Sequence, residues 1–382
     1  MNATRLWMIS TAVSAALLSL LVTLWVEMDG FERITSQLVD IDAANEYLDE
    51  NWESRLERDA DSYQPTIKVP TGVFIQSIEF FDSNEVRLSG YIWQKYKDGL
   101  HDDIKPGQGE VGFILPEQVH AGDDIEPKEA YRHRQGDEEV IGWYFEATIR
   151  ERFDYSTYPF DDKIIEILLW SKDFSRNVVL VPDYSSYTAT GLNDTFGIEE
   201  DIVMGSWSRQ DTFFDYKLSS YSTDFGIDDY VGQQGFPELR YNFVIKRNFG
   251  DAFIVYVLPL LLVAALLFST LLTISSDDEL AGRHDFSTNG FIAASSALFF
   301  VVLLGHIQLR EQFAGSGIVY IEYFYILMYV YLVAATATTF IFATRAFKWL
   351  SIVHYEDSII PKVCYWPTLL ALLIIITLTV RA

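Results

Sequence analysis

The densest grouping of side chains able to do chemistry is the run "ERFDYSTYPFDDKIIEILLW", residues 151–170. Within it Tyr158, Pro159, Phe160 and Asp161 make an aromatic-proline-aromatic-acid turn. The pyrrolidine ring fixes one backbone torsion, two rings offer packing surface and a carboxylate stands beside them, a combination suited to a contact at a domain boundary. Catalytic groupings are absent from the sequence pattern. The six histidines, His101, His120, His133, His284, His306 and His354, lack the His-x-x-x-His or Glu-linked spacing that zinc needs. Neither a glycine-rich phosphate loop nor a nucleophile elbow occurs, so the chain is not expected to be an enzyme. The lone Cys364 excludes an intrachain disulfide and any multi-cysteine metal site.

The charge balance narrows the partners. Against 28 basic residues stand 54 acidic ones, a formal net charge of −26 over 382 residues, and nucleic acid is a poor partner for such a surface. Since 45 of the 54 carboxylates and 22 of the 28 basic residues precede Asp251, the acid belongs to the first two thirds. The remainder is apolar. Leu6 to Val26 is an uncharged run between Arg5 and Glu27, and Ala252 to Ile274, Phe291 to Ile307, Ile318 to Ala343 and Val363 to Val380 are four more. About 20 apolar residues cross a bilayer as a helix, so five spans are expected. The first run has a secretory signal peptide as its rival reading. It is read as a retained anchor because no small-x-small cleavage site stands near Trp25, Val26 and Glu27. With Arg5 inside, residues 28–247 face outward, and Arg283, Arg345, Lys348 and Lys362 fall on the cytoplasmic side as the positive-inside rule asks. Arg381 is left outside.

Between the anchor and the later spans lie two patterns. Phe31 to Asp59 places Ile34, Leu38, Ile41, Ala44 and Leu48 at helical spacing without Gly or Pro, which predicts an amphipathic helix. From Thr66 the chain turns to short aromatic and β-branched runs. Val73–Phe81 and Val86–Tyr96 predict a hairpin, and 143–152, 163–170, 177–181, 201–207, 212–218 and 239–246 predict further strands. Many short strands with no long helix between them predict a β-sandwich.

The signature run, with Phe153 and Asp154 before the turn and Ile165, Ile167 and Leu169 alternating after it, resembles the signature loop of the pentameric ligand-gated ion channels, the Cys-loop receptor family. "LRYNFVIKRNFGDAFIVYVLPLLLVAALL" resembles that family's last extracellular strand running into its first channel helix, with Lys246 and Arg247 at the basic pair and Leu258 and Pro259 at the proline that interrupts the helix. Glu151 and Ile165 occupy the places of the two cysteines of eukaryotic members. Their absence matches the prokaryotic type. The resemblance runs from about Thr66 to the end. It implies an all-β immunoglobulin-like sandwich over residues 66–247 and a four-helix transmembrane bundle over 248–382, with an extra N-terminal transmembrane helix (1–29) and a helical linker (30–65) added. It further implies a homopentamer in the bacterial inner membrane, surrounded by lipid, with the sandwich in the periplasm or outside.

Site residues follow from the same resemblance. The pore would be lined by Asn289, Ala293, Ala297, Phe300, Leu304 and Gln308 in a register anchored on Phe313 and Ala314, and the apolar rings at Phe300 and Leu304 could dewet a narrow passage. A shift by one residue would bring Ser296, Phe299 and Leu303 inward instead. The ligand wall would carry Tyr221, Phe225 and Tyr230, whose ring faces attract an ammonium group, opposite Trp170 and Phe174. Asp224, Asp228 and Asp229 could hold an amine or a calcium ion, and no cofactor is expected beyond that one candidate ion. The alternative is that these are ordinary exposed loop residues. For coupling, Tyr158, Pro159 and Phe160 would rest against residues 314–317, with Arg247 paired to Asp161 or Asp154. His306, in a predicted span, is either functional or a satisfied packing residue. The reading that emerges is a channel subunit gated by a small molecule or ion and leaning towards cations. A receptor-like sensor or scaffold of the same fold that does not conduct is its alternative.

Overall fold

A computed structural model of the chain describes residues 3–30, 37–56, 66–80, 84–100, 111–119, 126–174, 176–190, 195–227, 234–275, 288–313, 315–344, 353, 355 and 358–381. The chain divides into two compact units, one formed by residues 31–153 and 162–246 and the other by 1–30, 154–161 and 247–382.

The first unit opens with α2 (Ile41–Leu48), whose Asp40 side chain caps the Ala43 amide at 2.8 Å. A π-helical turn, Asp49–Glu53, continues it and turns Trp52 onto the same buried side as Ala44 and Leu48. Helix thus begins later than the apolar spacing predicts. Leu38 lies in an isolated β-bridge to Phe214 instead, because its amide bonds the Phe214 carbonyl; Ile34 lies outside the described residues.

Among the described residues ten strands follow: β1 (Ile67–Phe80), β2 (Glu85–Lys97), β3 (Phe113–Ile114), β4 (Gln118–Val119), β5 (Lys128–Gln135), β6 (Glu138–Arg150), β7 (Asp162–Ser171), β8 (Val178–Pro182), β9 (Trp207–Ser219) and β10 (Phe236–Arg247). They form a six-stranded sheet in the order β4-β6-β2-β1-β8, with β5 also on β6, and a four-stranded sheet in the order β3-β7-β10-β9. The expected hairpin is β1–β2, with Val73 opposite Ile92. Strand is not found where it was expected over 201–207: Gly205 takes φ +60°, an αL residue that breaks an extended run, and β9 starts only at Trp207. Inward side chains of both sheets, among them Val73, Ile75, Ile92, Phe145, Ile167, Tyr241 and Phe243, share one apolar core with Leu48 and Trp52. Dewetting that surface, at about 25 cal/mol per Å2, is the main force holding the unit.

In the second unit five helices among the described residues are long and apolar enough to cross a membrane: α1 (Ala3–Met28), α3 (Phe249–Leu272), α4 (Thr288–Gln312), α5 (Glu322–Thr344) and α6 (Ile359–Arg381). This marks the chain as a membrane protein. Helix α3 widens into a π turn at Phe253–Val257 just ahead of Pro259, whose missing N–H removes one i→i−4 bond. Helices α1 and α6 run side by side in the same direction. Ser10 Oγ donates to the Val363 carbonyl at 2.5 Å, Leu21 and Leu24 pack with Leu370 and Ile374, and Arg381 pairs with Glu27. Arg381, unplaced by the charge pattern, thus finds an acid on the neighbouring helix, though both side chains are about half exposed and such a pair adds little stability.

Gly90 marks the tightest backbone approach in the larger sheet: a Cβ there would stand 2.0 Å from the Phe74 carbonyl oxygen. Gly90→Ala is expected to lower stability by about 1–3 kcal/mol through overpacking. A clear fall in the thermal midpoint of the detergent-purified chain checks this, with Gly250→Ala, where nothing lies within 4 Å, as the neutral control.

Candidate functional site

The segment 154–161 leaves β6, turns, and re-enters β7, yet it clusters with the helices. Its geometry shows why. Arg247, at the end of β10 and the head of α3, reaches Asp161 through two parallel hydrogen bonds, Nε to Oδ1 at 2.8 Å and Nη2 to Oδ2 at 3.1 Å. The pair is closed off from solvent, with the Asp161 side chain 1% and the Arg247 side chain 9% exposed. A third contact joins the backbones, Arg247 N to Asp161 O at 3.3 Å, and the guanidinium carbon lies 4.8 Å from the centre of the Tyr158 ring. Of the two expected partners, Arg247 takes Asp161. Asp154 instead accepts from the Ser156 amide at 2.8 Å, a local turn contact.

Aromatic packing completes the loop. Tyr158 lies 4.5 Å and Tyr155 5.0 Å from Phe313, between ring centres, and Phe160 stacks on Phe249 at 4.9 Å. The Tyr320 amide donates to the Ser156 carbonyl at 2.9 Å. The loop therefore rests on Phe313 and Tyr320, which flank the 314–317 link where contact was expected; Ala314 lies outside the described residues. Burial pushes the Tyr158 hydroxyl well above its ordinary range, against the lowering pull of Arg247, so it stays protonated at any physiological pH.

On α4 the six expected pore residues, Asn289, Ala293, Ala297, Phe300, Leu304 and Gln308, are all exposed in the single chain, with Phe300 at 60% and Leu304 at 61%. In the alternative register Ser296 and Phe299 are exposed as well and Leu303 is half-buried, with the Phe299 ring 5.6 Å from that of Tyr329 on α5. A side groove of about 620 Å3 between α4 and α5 is lined by Ser296, Phe299, Phe300, Leu332 and Thr336 among others. His306 also faces α5, stacked 5.4 Å from Tyr325, with Nδ1 3.2 Å from the Tyr329 hydroxyl and Nε2 3.7 Å from Glu322.

In the β unit, four of the five expected ligand-wall aromatics converge. Trp170 lies 5.4 Å from Tyr221, 6.1 Å from Phe174 and 6.2 Å from Phe225, each edge to face. Phe225 takes φ +55° at the tip of a turn in which Asp224 accepts from the Gly226 amide. Behind the rings Glu238, 2% exposed, accepts from Ser219 Oγ and from the Tyr221 hydroxyl. A small cavity of about 30 Å3, room for a water, lies beside them, and the buried Trp170 Nε1 has no partner among the described residues. Tyr230, Asp228 and Asp229 lie outside the described residues. Among the described residues no group of three acidic, histidine or cysteine side chains is placed to hold a metal.

The sequence pattern did not reveal Glu151. Its carboxylate accepts from the Glu166 amide at 3.0 Å, and burial, helped by Glu117 and Glu166, pushes it up to about 7 in spite of that hydrogen bond and of Lys217.

Comparison of the chain with protein-family models and with curated proteins finds no match.

Two outcomes are expected here. Arg247→Ala leaves the buried Asp161 carboxylate without its cation and should cost about 3–5 kcal/mol, with Arg247→Lys recovering only part because the planar fork is lost. The thermal midpoint of the purified chain measures both, and an unshifted midpoint in Arg247→Ala contradicts the assignment. Glu151, whose folded value of about 7 lies above its ordinary 4.5, holds its proton more tightly when folded. Its contribution is full below about pH 4.5 and is lost as pH rises through about 7. Glu151→Gln should therefore flatten the loss of stability between about pH 5 and about pH 8, by on the order of 2 kcal/mol once residual solvent is allowed for. Parallel pH slopes in the two proteins would rule it out.

Proposed function

We propose that the chain is one subunit of a homopentameric ligand-gated ion channel of the prokaryotic type, with an immunoglobulin-like sandwich outside the bacterial inner membrane and α4 lining a central pore. The observation that carries the reading is the exposed stripe of α4. A helix packed on α5 through Phe299 and His306 leaves Asn289, Ala293, Ala297, Leu304 and Gln308 exposed in the single chain, together with Phe300, which also lines the groove between α4 and α5. Five such helices around an axis would place rings of Phe300 and Leu304 one turn apart. Apolar rings that close together expel water and block ions without a solid plug, and small separations would reopen the column.

The Asp161–Arg247 pair supports the second half of the reading. The loop that ends β6 and starts β7 is bound to the head of α3 and to the entry of α5, so displacement of the strands carries the helix heads with it. The ligand would meet the Trp170, Phe174, Tyr221 and Phe225 cluster, whose ring faces and buried Glu238 suit a small organic cation. Acid concentrated before Asp251 would enrich cations at the outer mouth, and the selectivity proposed is cationic.

A receptor-like scaffold that does not conduct is the second reading, favoured by the apolar character of Phe300 and Leu304. Recording from the purified chain in planar bilayers divides the two. Steps to acid pH, calcium removal and small amines are the stimuli, and the channel reading expects unitary currents. Phe300→Ser should raise the resting conductance by about tenfold or more, equivalent to ~1.4 kcal/mol of barrier, whereas Phe299→Ser should chiefly loosen the contact with α5. Leak from Phe299→Ser with Phe300→Ser silent would move the register by one residue, and silence throughout would favour the scaffold.

A further inference from the structure

The N-terminal helix does more than cross a membrane. A tryptophan at the end of a spanning helix ordinarily sits at the interface with its indole N–H in water or among headgroups. Trp25, in the last turn of α1, instead donates from Nε1 to the Tyr320 hydroxyl at 2.8 Å. Tyr320 is 1% exposed, and the same hydroxyl lies 2.6 Å from Thr377 Oγ1 on α6. The Trp25 ring stacks on Phe324 of α5 at 6.1 Å and lies 5.8 Å from Phe249 at the head of α3. It also lies 6.2 Å from Phe160 in the 154–161 loop. One side chain from α1 thus touches the loop and the heads of two helices. It is also hydrogen-bonded to the residue whose amide holds the Ser156 carbonyl.

The rest of α1 fixes that ring in place. Ser10, Leu21, Leu24 and Glu27 hold it along α6, and Trp7 packs edge-on against Phe268 of α3 at 6.4 Å. Lipid could solvate an apolar helix equally well on any face; a specific dock explains a part-buried indole hydrogen bond to Tyr320, just ahead of α5, whose hydroxyl also meets Thr377 of α6.

We infer that α1 is a working part of the helical unit and that Trp25 is a positioning residue for coupling: it sets where Phe160 and Tyr320 hold the 154–161 loop. The gating half of this inference rests on the channel reading, while the positioning half stands without it. Hydrogen exchange of the full chain in lipid nanodiscs tests the latter. Trp25→Ala should speed exchange in peptides covering 154–161 and 319–325 by about tenfold, as local opening becomes easier. Trp25→Phe, which removes the hydrogen bond and keeps a ring, should give a smaller rise; Tyr320→Phe, which also removes the contact with Thr377, should give a rise at least as large as Trp25→Phe, and the double variant should not exceed Tyr320→Phe alone. Trp7→Ala, on the same helix, should leave both peptides unchanged.

Unchanged exchange in Trp25→Ala overturns the inference. So does an equal rise from Trp7→Ala, which would show general undocking of α1. For gating, Trp25→Ala should shift the open probability at rest and after a step to acid pH in planar bilayers, with partial recovery in Trp25→Phe. Raised exchange with unaltered gating would overturn the coupling role and leave a packing residue. A wild-type chain that passes no current overturns the channel reading instead, and the exchange result still decides whether Trp25 positions the loop.

Discussion

Two buried hydrogen bonds between Arg247 and Asp161 decide where the 154–161 loop goes, and most of the geometry described above depends on them. Taking a guanidinium and a carboxylate out of water costs several kcal/mol for each ion, and their attraction recovers this only when the remaining polar atoms are also satisfied. Here the fork is bidentate, the backbones join through a further hydrogen bond and the Tyr158 ring covers the cation. Such an arrangement contributes location more than net stability. It holds the end of β10 and the start of β7 together at the point where the sheet ends and the helical unit begins, since Lys246 and Asp162 are the last paired residues of those strands.

Around that fixed point the aromatic side chains divide the work. Tyr155 and Tyr158 meet Phe313 at the end of α4, Phe160 meets Phe249 at the head of α3, and Trp25 closes the group from α1. Rings in edge or offset contact resist sliding because their partial charges as well as their shapes must match. A loop held this way moves with the helix heads or not at all, which is the mechanical property that the proposed coupling requires. The aromatic cluster at Trp170 has a different character. Phe225 reaches it from a strained αL position with part of its ring exposed.

What the residues alone could reveal followed their range of interaction. The turn at Tyr158–Asp161 was legible because it is carried by a few adjacent residues of distinctive chemistry, whereas the pairing of Arg247 with an acid 86 residues away was expected only from the family resemblance. The five apolar helices were legible from length and hydropathy. Strand β5, "KEAYRHRQ", was not: it is polar and mostly exposed, so no alternation announced it, and only pairing with β6 makes it a strand. The predicted strand over 201–207 failed at Gly205, whose positive φ no periodicity encodes. Asp154 and Asp161 were equivalent in sequence, and the backbone turn at Ser156 separated them. Trp25 lies 295 residues from the phenol it bonds, and the raised carboxyl of Glu151 depends on neighbours 15 and more residues away, distances over which local patterning carries nothing.

On the channel reading we propose, the exposed residues of α4 surround an axis and the anchored loop moves with the strands. Images of the detergent-purified particle test that most directly. A five-fold particle with Asn289, Phe300 and Leu304 facing the axis is the result the proposal predicts. Any other symmetry, or a five-fold particle in which α4 turns Phe299 and Ser296 inward and Phe300 towards a neighbour, would contradict it.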